Sequence, residues 1–172
     1  MLRGTPMPEL RKIKVTAAEV AERLMKLIAS PDKQDEVFRE EVVVGCPDID
    51  LDTYNLECFY LGVFAGLVAA RTVLKPAAWD KFIEQYSYQL HLYVRDVLNE
   101  REFTNVALDR IQIYAAASDS SDKRQRVRGI EQLFSELCCG DPSNRTLHRI
   151  GGSIYLIRGT DLSGCLRRLT CA

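Results

Sequence analysis

The 172-residue chain has two histidines, no Cys-x-x-Cys pair and no Glu-x-x-His pair. A carboxylate-bridged metal centre in a helical bundle needs inward Glu-x-x-His pairs. A closed structural zinc site usually takes ligands paired two to four residues apart. Neither pattern is present. Glycine-rich phosphate loops of the Gly-x-x-x-x-Gly-Lys or Gly-x-Gly-x-x-Gly type are also absent. The opening residues, MLRGTPMPELRKIK, contain no apolar run of the length a secretory signal needs. The longest apolar run, Cys58 to Ala70, stops between Glu57 and Arg71, short of the roughly 20 residues that span a bilayer. The net charge is −1, so no global field favours nucleic acid or an anionic membrane. The six cysteines follow no secreted-scaffold spacing, which implies reduced thiols in a cytoplasmic protein.

What is present is the grammar of a helical domain. Hydrophobic residues make up 47% of the chain and charged residues 27%, the balance of a soluble domain with a sizeable core. Residues 1–15 read as an N-terminal arm and 16–172 as a single all-α domain of about six or seven helices.

The stretch TAAEVAERLM, Thr16 to Met25, could open a DNA-reading helix-turn-helix. Thr16 and Glu19 form a capping box, and Val20, Leu24, Leu27 and Ile28 make an apolar stripe. The helix continues to about Ala29, however, and the acidic segment DKQDEVFREE follows. Carboxylates there would repel phosphates, which makes nucleic acid an unlikely partner. Ser30-Pro31 predicts a second helix to about Glu41, and Val42–Val44 a short strand or extended exit.

Within Asp52 to Leu74, the run from Cys58 to Ala70 is apolar on all sides, as expected of a buried central helix. Gly62, Gly66 and Ala70 recur every four residues, so a neighbouring helix should cross closely there. Pro76 opens a helix to about Asn99, with Trp79, Phe82, Ile83, Tyr86, Leu90, Tyr93, Val94 and Val97 on one face. His91 faces outward with Glu84 and Arg95. These two helices are expected to pair antiparallel as a central apolar hairpin. Helices at about 104–117, with Val106, Leu108, Ile111, Ile113 and Tyr114 apolar, and at 122–139 follow. Gly140 closes the latter. Asp141-Pro142 predicts a short helix ended by Gly151-Gly152, then a possible strand at Ser153–Ile157 and a last helical turn near Asp161–Leu169.

Three groupings could carry function. Lys123, Arg124, Arg126 and Arg128 crowd a helix start, where positive charge opposes the macrodipole and would attract an anion or an acidic partner surface. One such surface is the acidic residues 32–41 of a second copy. Residues 1–60 carry 8 basic and 12 acidic side chains, and residues 119–172 carry 9 and 6, which suits such pairing. Phe59, Phe64, Trp79 and Tyr86 could line an apolar ligand pocket between the two central helices. Cys138, Cys139, His148, Cys165 and Cys171 form a loose zinc-type set. His148, flanked by Arg145 and Arg149, could alternatively pair with Cys138, Cys139 or Cys165 as a nucleophile. No cofactor, metal or catalytic set is expected. The sequence reads as a helical protein-interaction or self-association module, with an apolar-ligand sensor as the alternative and a cysteine enzyme as the third reading.

Overall fold

The computed structural model describes residues 13–30, 33–97 and 103–171. Seven helices account for nearly all of it: α1 Ala17–Ala29, α2 Lys33–Gly45, α3 Leu51–Val73, α4 Pro76–Val97, α5 Phe103–Ala117, α6 Lys123–Cys139 and α7 Arg145–Arg167. Strands β1 (Ile13–Val15) and β2 (Leu169–Cys171) pair in parallel, Ile13 opposite Leu169. The last residues of the expected arm are thus tied to the end of α7; residues 1–12 lie outside the described residues.

Helix starts follow local chemistry. Thr16 accepts from the Glu19 N–H, and the Glu19 carboxylate accepts in return from the Thr16 N–H at 2.7 Å. Asp50, Asp122 and Asn144 cap α3, α6 and α7 through their side-chain oxygens, each satisfying N–H groups that the first helical turn leaves open. Gly140 ends α6 at φ 72°, a conformation that glycine adopts without a Cβ penalty.

Several expectations need correction. The Ser30 hydroxyl donates to the Lys26 carbonyl at the end of α1; the rest of the expected start of α2, Pro31 and Asp32, lies outside the described residues. Val42–Val44 are helical because α2 runs on to Gly45, anchored by fully buried Val42; packing overrides the β preference of branched side chains. Gly151-Gly152 does not stop α7, and Ser153–Ile157 is helix, not strand. A Cβ at Gly151 would lie 2.8 Å from the Phe134 ring, so the glycines let α6 and α7 approach closely. In α1 the buried stripe is Val20, Ala21, Leu24, Met25 and Ile28, while Leu27 is exposed. In α5 the buried residues are Ala107 and Tyr114, while Val106, Leu108 and Ile113 are exposed.

Helix α3 is surrounded by α1, α5, α6 and α7, which explains why it is apolar on every face. The glycine row on α3 makes room for side chains rather than for a helix backbone: a Cβ at Gly62 would lie 3.0 Å from the Ile28 side chain, and one at Gly66 would lie 2.8 Å from the Tyr86 hydroxyl. That space lets Tyr86 donate to the Val63 carbonyl at 3.0 Å. Helices α3 and α4 do run antiparallel, since Phe59 meets Tyr93 and Arg71 lies over Trp79. Their backbones are kept apart by these aromatic side chains, however. The closest backbone partner of α3 is α7, and that of α4 is α1. Helix α1 packs on α4 and α3, and α2 on α7. Filling this core with Phe82, Phe134, Tyr60 and their neighbours contributes about 1.5–3 kcal/mol per large apolar side chain.

One buried charge interrupts the core. Glu57 of α3 is 2% exposed; it pairs with Arg110 at 2.9 Å and accepts from Tyr114 at 3.2 Å, both on α5. Burial pushes its carboxyl above the usual range, and Arg110 and Tyr114 pull it partly back.

Candidate functional site

Two clefts flank α7, and their charge content separates them. The first, about 420 Å³, lies among α1, α2, α3 and α7 and includes Ile28, Tyr54, Phe59, Tyr93 and Ile154. Its charges balance, with Asp35, Glu36, Arg39 and Arg158 at its edge and Arg158 paired with Asp35. Cys58 also lies here. Burial pushes its thiol up to about 12, so it stays protonated at neutral pH.

The second cleft, about 500 Å³, lies among α3, α6 and α7. Its floor is small and weakly polar: Ala65, Val68 and Ala69 from α3, and Gly159, Ser163 and Gly164 from α7. Among the described residues its charged lining is Lys123, Arg126 and Arg167, with no carboxylate on the wall. None of these three cations has an ion-pair partner among the described residues. Tyr155 is pushed up by burial and pulled back by the Arg126 charge; both residues line this cleft. The hydroxyls of Thr72 and Thr160 donate to the carbonyls of Ala69 and Leu156 in their own helices, both at 2.8 Å.

The sequence-selected basic group therefore divides. Lys123 and Arg126 line the cleft; Arg124 and Arg128 are exposed but do not line it. The sequence reading missed Arg167. It follows Gly159 and Ser163 at four-residue intervals along α7, a pattern hidden once the helix is thought to stop at Gly151. The proposed acidic surface is partly occupied within the chain: Asp35 pairs with Arg158 and Glu41 with Arg149. Asp32 lies outside the described residues.

The four aromatic residues do not share a wall. Phe64 and Tyr86 are core, stacked on Tyr114 and Phe82 respectively. Trp79 lies under Arg71, 5.0 Å from its guanidinium carbon. Phe59 borders the first cleft, stacked on Tyr93 at 4.8 Å.

The cysteines and histidine are similarly dispersed. Cys138 is buried and its thiol raised by that burial; Cys139 is exposed. The ring of His148 contacts the Pro142 carbonyl through Nε2. Helices α6 and α7 are antiparallel, with Phe134 against Gly151 and Glu131 against Gly152. Cys138 therefore lies level with the start of α7, whereas Cys165 is about 25 Å further along it at 1.5 Å per residue. The Cys171 side chain lies outside the described residues. Among the described residues no three His, Cys, Asp or Glu side chains gather to hold a metal ion. His91 is exposed on α4.

Comparison with protein-family models, curated proteins and solved structures finds no match to this chain.

Proposed function

We propose that this chain is a helical interaction module that docks an acidic protein partner at the cleft among α3, α6 and α7, without catalysing a reaction. One observation carries the reading: three cations line a cleft whose described residues include no carboxylate. Unpaired like charges repel one another, so an acidic partner gains both attraction and relief of that repulsion. A partner protein suits the cleft better than α2 of a second copy, because two acidic residues of α2 are already engaged within the chain. A cytoplasmic setting belongs to the proposal. It is supported by Cys46 and Cys138 packing in the core as small apolar residues.

Fluorescence anisotropy with labelled poly-L-glutamate tests this reading, across a series of salt concentrations. The expected result is saturable binding that weakens as salt rises. Joint substitution Lys123→Glu, Arg126→Glu and Arg167→Glu should reduce affinity by at least about tenfold. A matched reversal of the exposed Arg23, Lys75 and Lys81 should leave it nearly unchanged. Equal losses in both variants would reject the cleft as the docking site.

A second reading places an apolar small molecule in the first cleft, favoured by its Phe59, Tyr93 and Ile154 lining. Apolar ligands should then raise the melting temperature in wild type but not in Phe59→Ala. Thiol catalysis has weaker support, because burial keeps the Cys58 and Cys138 thiols protonated at neutral pH.

A further inference from the structure

The cations in the cleft are strung out rather than gathered. The antiparallel register that sets Phe134 against Gly151 and Glu131 against Gly152 continues toward Arg126 and Tyr155, which line the same cleft. One turn earlier in α6, Lys123 falls level with Gly159. Arg167 lies two turns beyond that on α7. From the level of Tyr155 to that of Arg167 is about 18 Å at 1.5 Å per residue. A compact anion such as phosphate would need its donors to converge. Two of the cleft hydroxyls, those of Thr72 and Thr160, already donate to carbonyls of their own helices.

The floor has the matching shape. A Cβ at Gly159 or Gly164 would meet nothing within 4 Å, so open space lies above α7 at both positions. Ala65 and Ala69 keep the α3 side low. Leu156, 42% exposed, lies at one end of this trough and can meet an apolar side chain of a partner.

We infer that the partner element is an acidic amphipathic helix lying along α7, seated on Gly159 and Ser163, with carboxylates over about three turns facing Arg126, Lys123 and Arg167. This inference rests on the docking function proposed above and specifies the shape of its partner. Small residues let the backbone of the incoming helix approach, and the spaced cations fix its register.

The test uses the full chain and three probes: a synthetic helical peptide with acidic residues at positions i, i+4 and i+11 beside an Ala/Leu stripe, the same composition scrambled, and poly-L-glutamate. The helical peptide should bind at least about tenfold more tightly than the scrambled one, because only it presents charge and apolar stripe together. The key variant is Gly159→Leu with Ser163→Leu. It fills the trough at a position where the fold leaves space, and leucine is the better helix former, so the melting temperature should not fall. That variant should lose the helical peptide by at least about tenfold and keep poly-L-glutamate binding.

If the filled variant binds the helical peptide as wild type does, or if the scrambled peptide binds equally well, the helix seat is wrong while the acidic-partner reading stands. Displacement of the peptide by inorganic phosphate at constant ionic strength would also overturn the seat, in favour of a compact anion site. Failure of wild type to bind either peptide or poly-L-glutamate would remove both proposals.

Discussion

Glycine to alanine should have opposite effects at two helical positions of this chain. At Gly159, in the interior of α7, an added Cβ meets nothing within 4 Å. Alanine there should stabilise by about 1 kcal/mol, the difference in helix propensity, and raise the melting temperature by about 2–4 °C for a chain of this size. At Gly129, in α6, the same methyl would land on the carbonyl oxygen of Ala117, the last residue of α5, and lie 3.1 Å from its carbonyl carbon. Carbon contacts settle near 3.5–4.0 Å, so the end of α5 must retreat by on the order of an ångström. The obstacle is backbone, so no rotamer change relieves it. Overpacking typically costs about 1–3 kcal/mol, and here it should exceed the propensity gain and leave a net loss of about 1–2 kcal/mol. Urea unfolding checks both values, with the midpoint moving at constant slope. A stabilised Gly129→Ala would refute the close α5–α6 crossing. A destabilised Gly159→Ala would refute the open trough.

Glu57→Gln tests the buried carboxylate through pH. Burial raises the folded-state pKa of Glu57, so the stability it contributes is present below the unfolded pKa and is lost as pH rises through the raised value. The stability of Glu57→Gln relative to wild type should therefore improve from acid to neutral pH; a flat difference would count against the burial. Truncation to Glu57→Ala also leaves Arg110 unpaired, and should destabilise by about 2–4 kcal/mol, at the lower end for a buried pair because Arg110 keeps partial solvent access. Thr16→Ala removes the reciprocal cap of α1 and should lower stability by about 1 kcal/mol in the same assay. In native protein, mass-mapped thiol labelling should mark exposed Cys139 first and buried Cys46 and Cys138 only on unfolding; equal rates would contradict the packing of α6.

Periodicity and caps make most of the helices legible in the sequence. The stripe from Trp79 to Val94, the Thr16–Glu19 box and the all-round apolar run of α3 are local signals, and each appears as read. The failures occur where a long-range contact overrides a local preference. Gly151-Gly152 reads as a helix stop until Phe134 and Glu131 are placed against it. Val42–Val44 reads as extended until Val42 is buried. In α5 the large apolar residues suggest the inner face, but the buried face is set by Ala107, Tyr114 and the pairing of Arg110 with a carboxylate on another helix. The cleft is half legible: Lys123 and Arg126 stand out as charges at a helix start, while Arg167 needs an unbroken α7 to align with them.

The charge asymmetry of the chain acquires a physical meaning once α7 is continuous. Of the nine cations in residues 119–172, Arg149 and Arg158 face α2 and are neutralised there by Glu41 and Asp35. The acidic front of the sequence thus neutralises one side of α7 during folding. Arg167, with Lys123 and Arg126 from α6, borders the other side, where none of the described acidic residues of the front lines the cleft. Surface ion pairs of this kind contribute about 0–1 kcal/mol each, so stability alone is a weak reason to pair one side and leave the other unpaired. On the reading proposed above, three cations without an ion-pair partner among the described residues, above a floor of small residues, leave the electrostatic gain to an incoming surface. High salt should accordingly weaken docking at this cleft more than it weakens the fold, because exposed charges are screened while the apolar core is not.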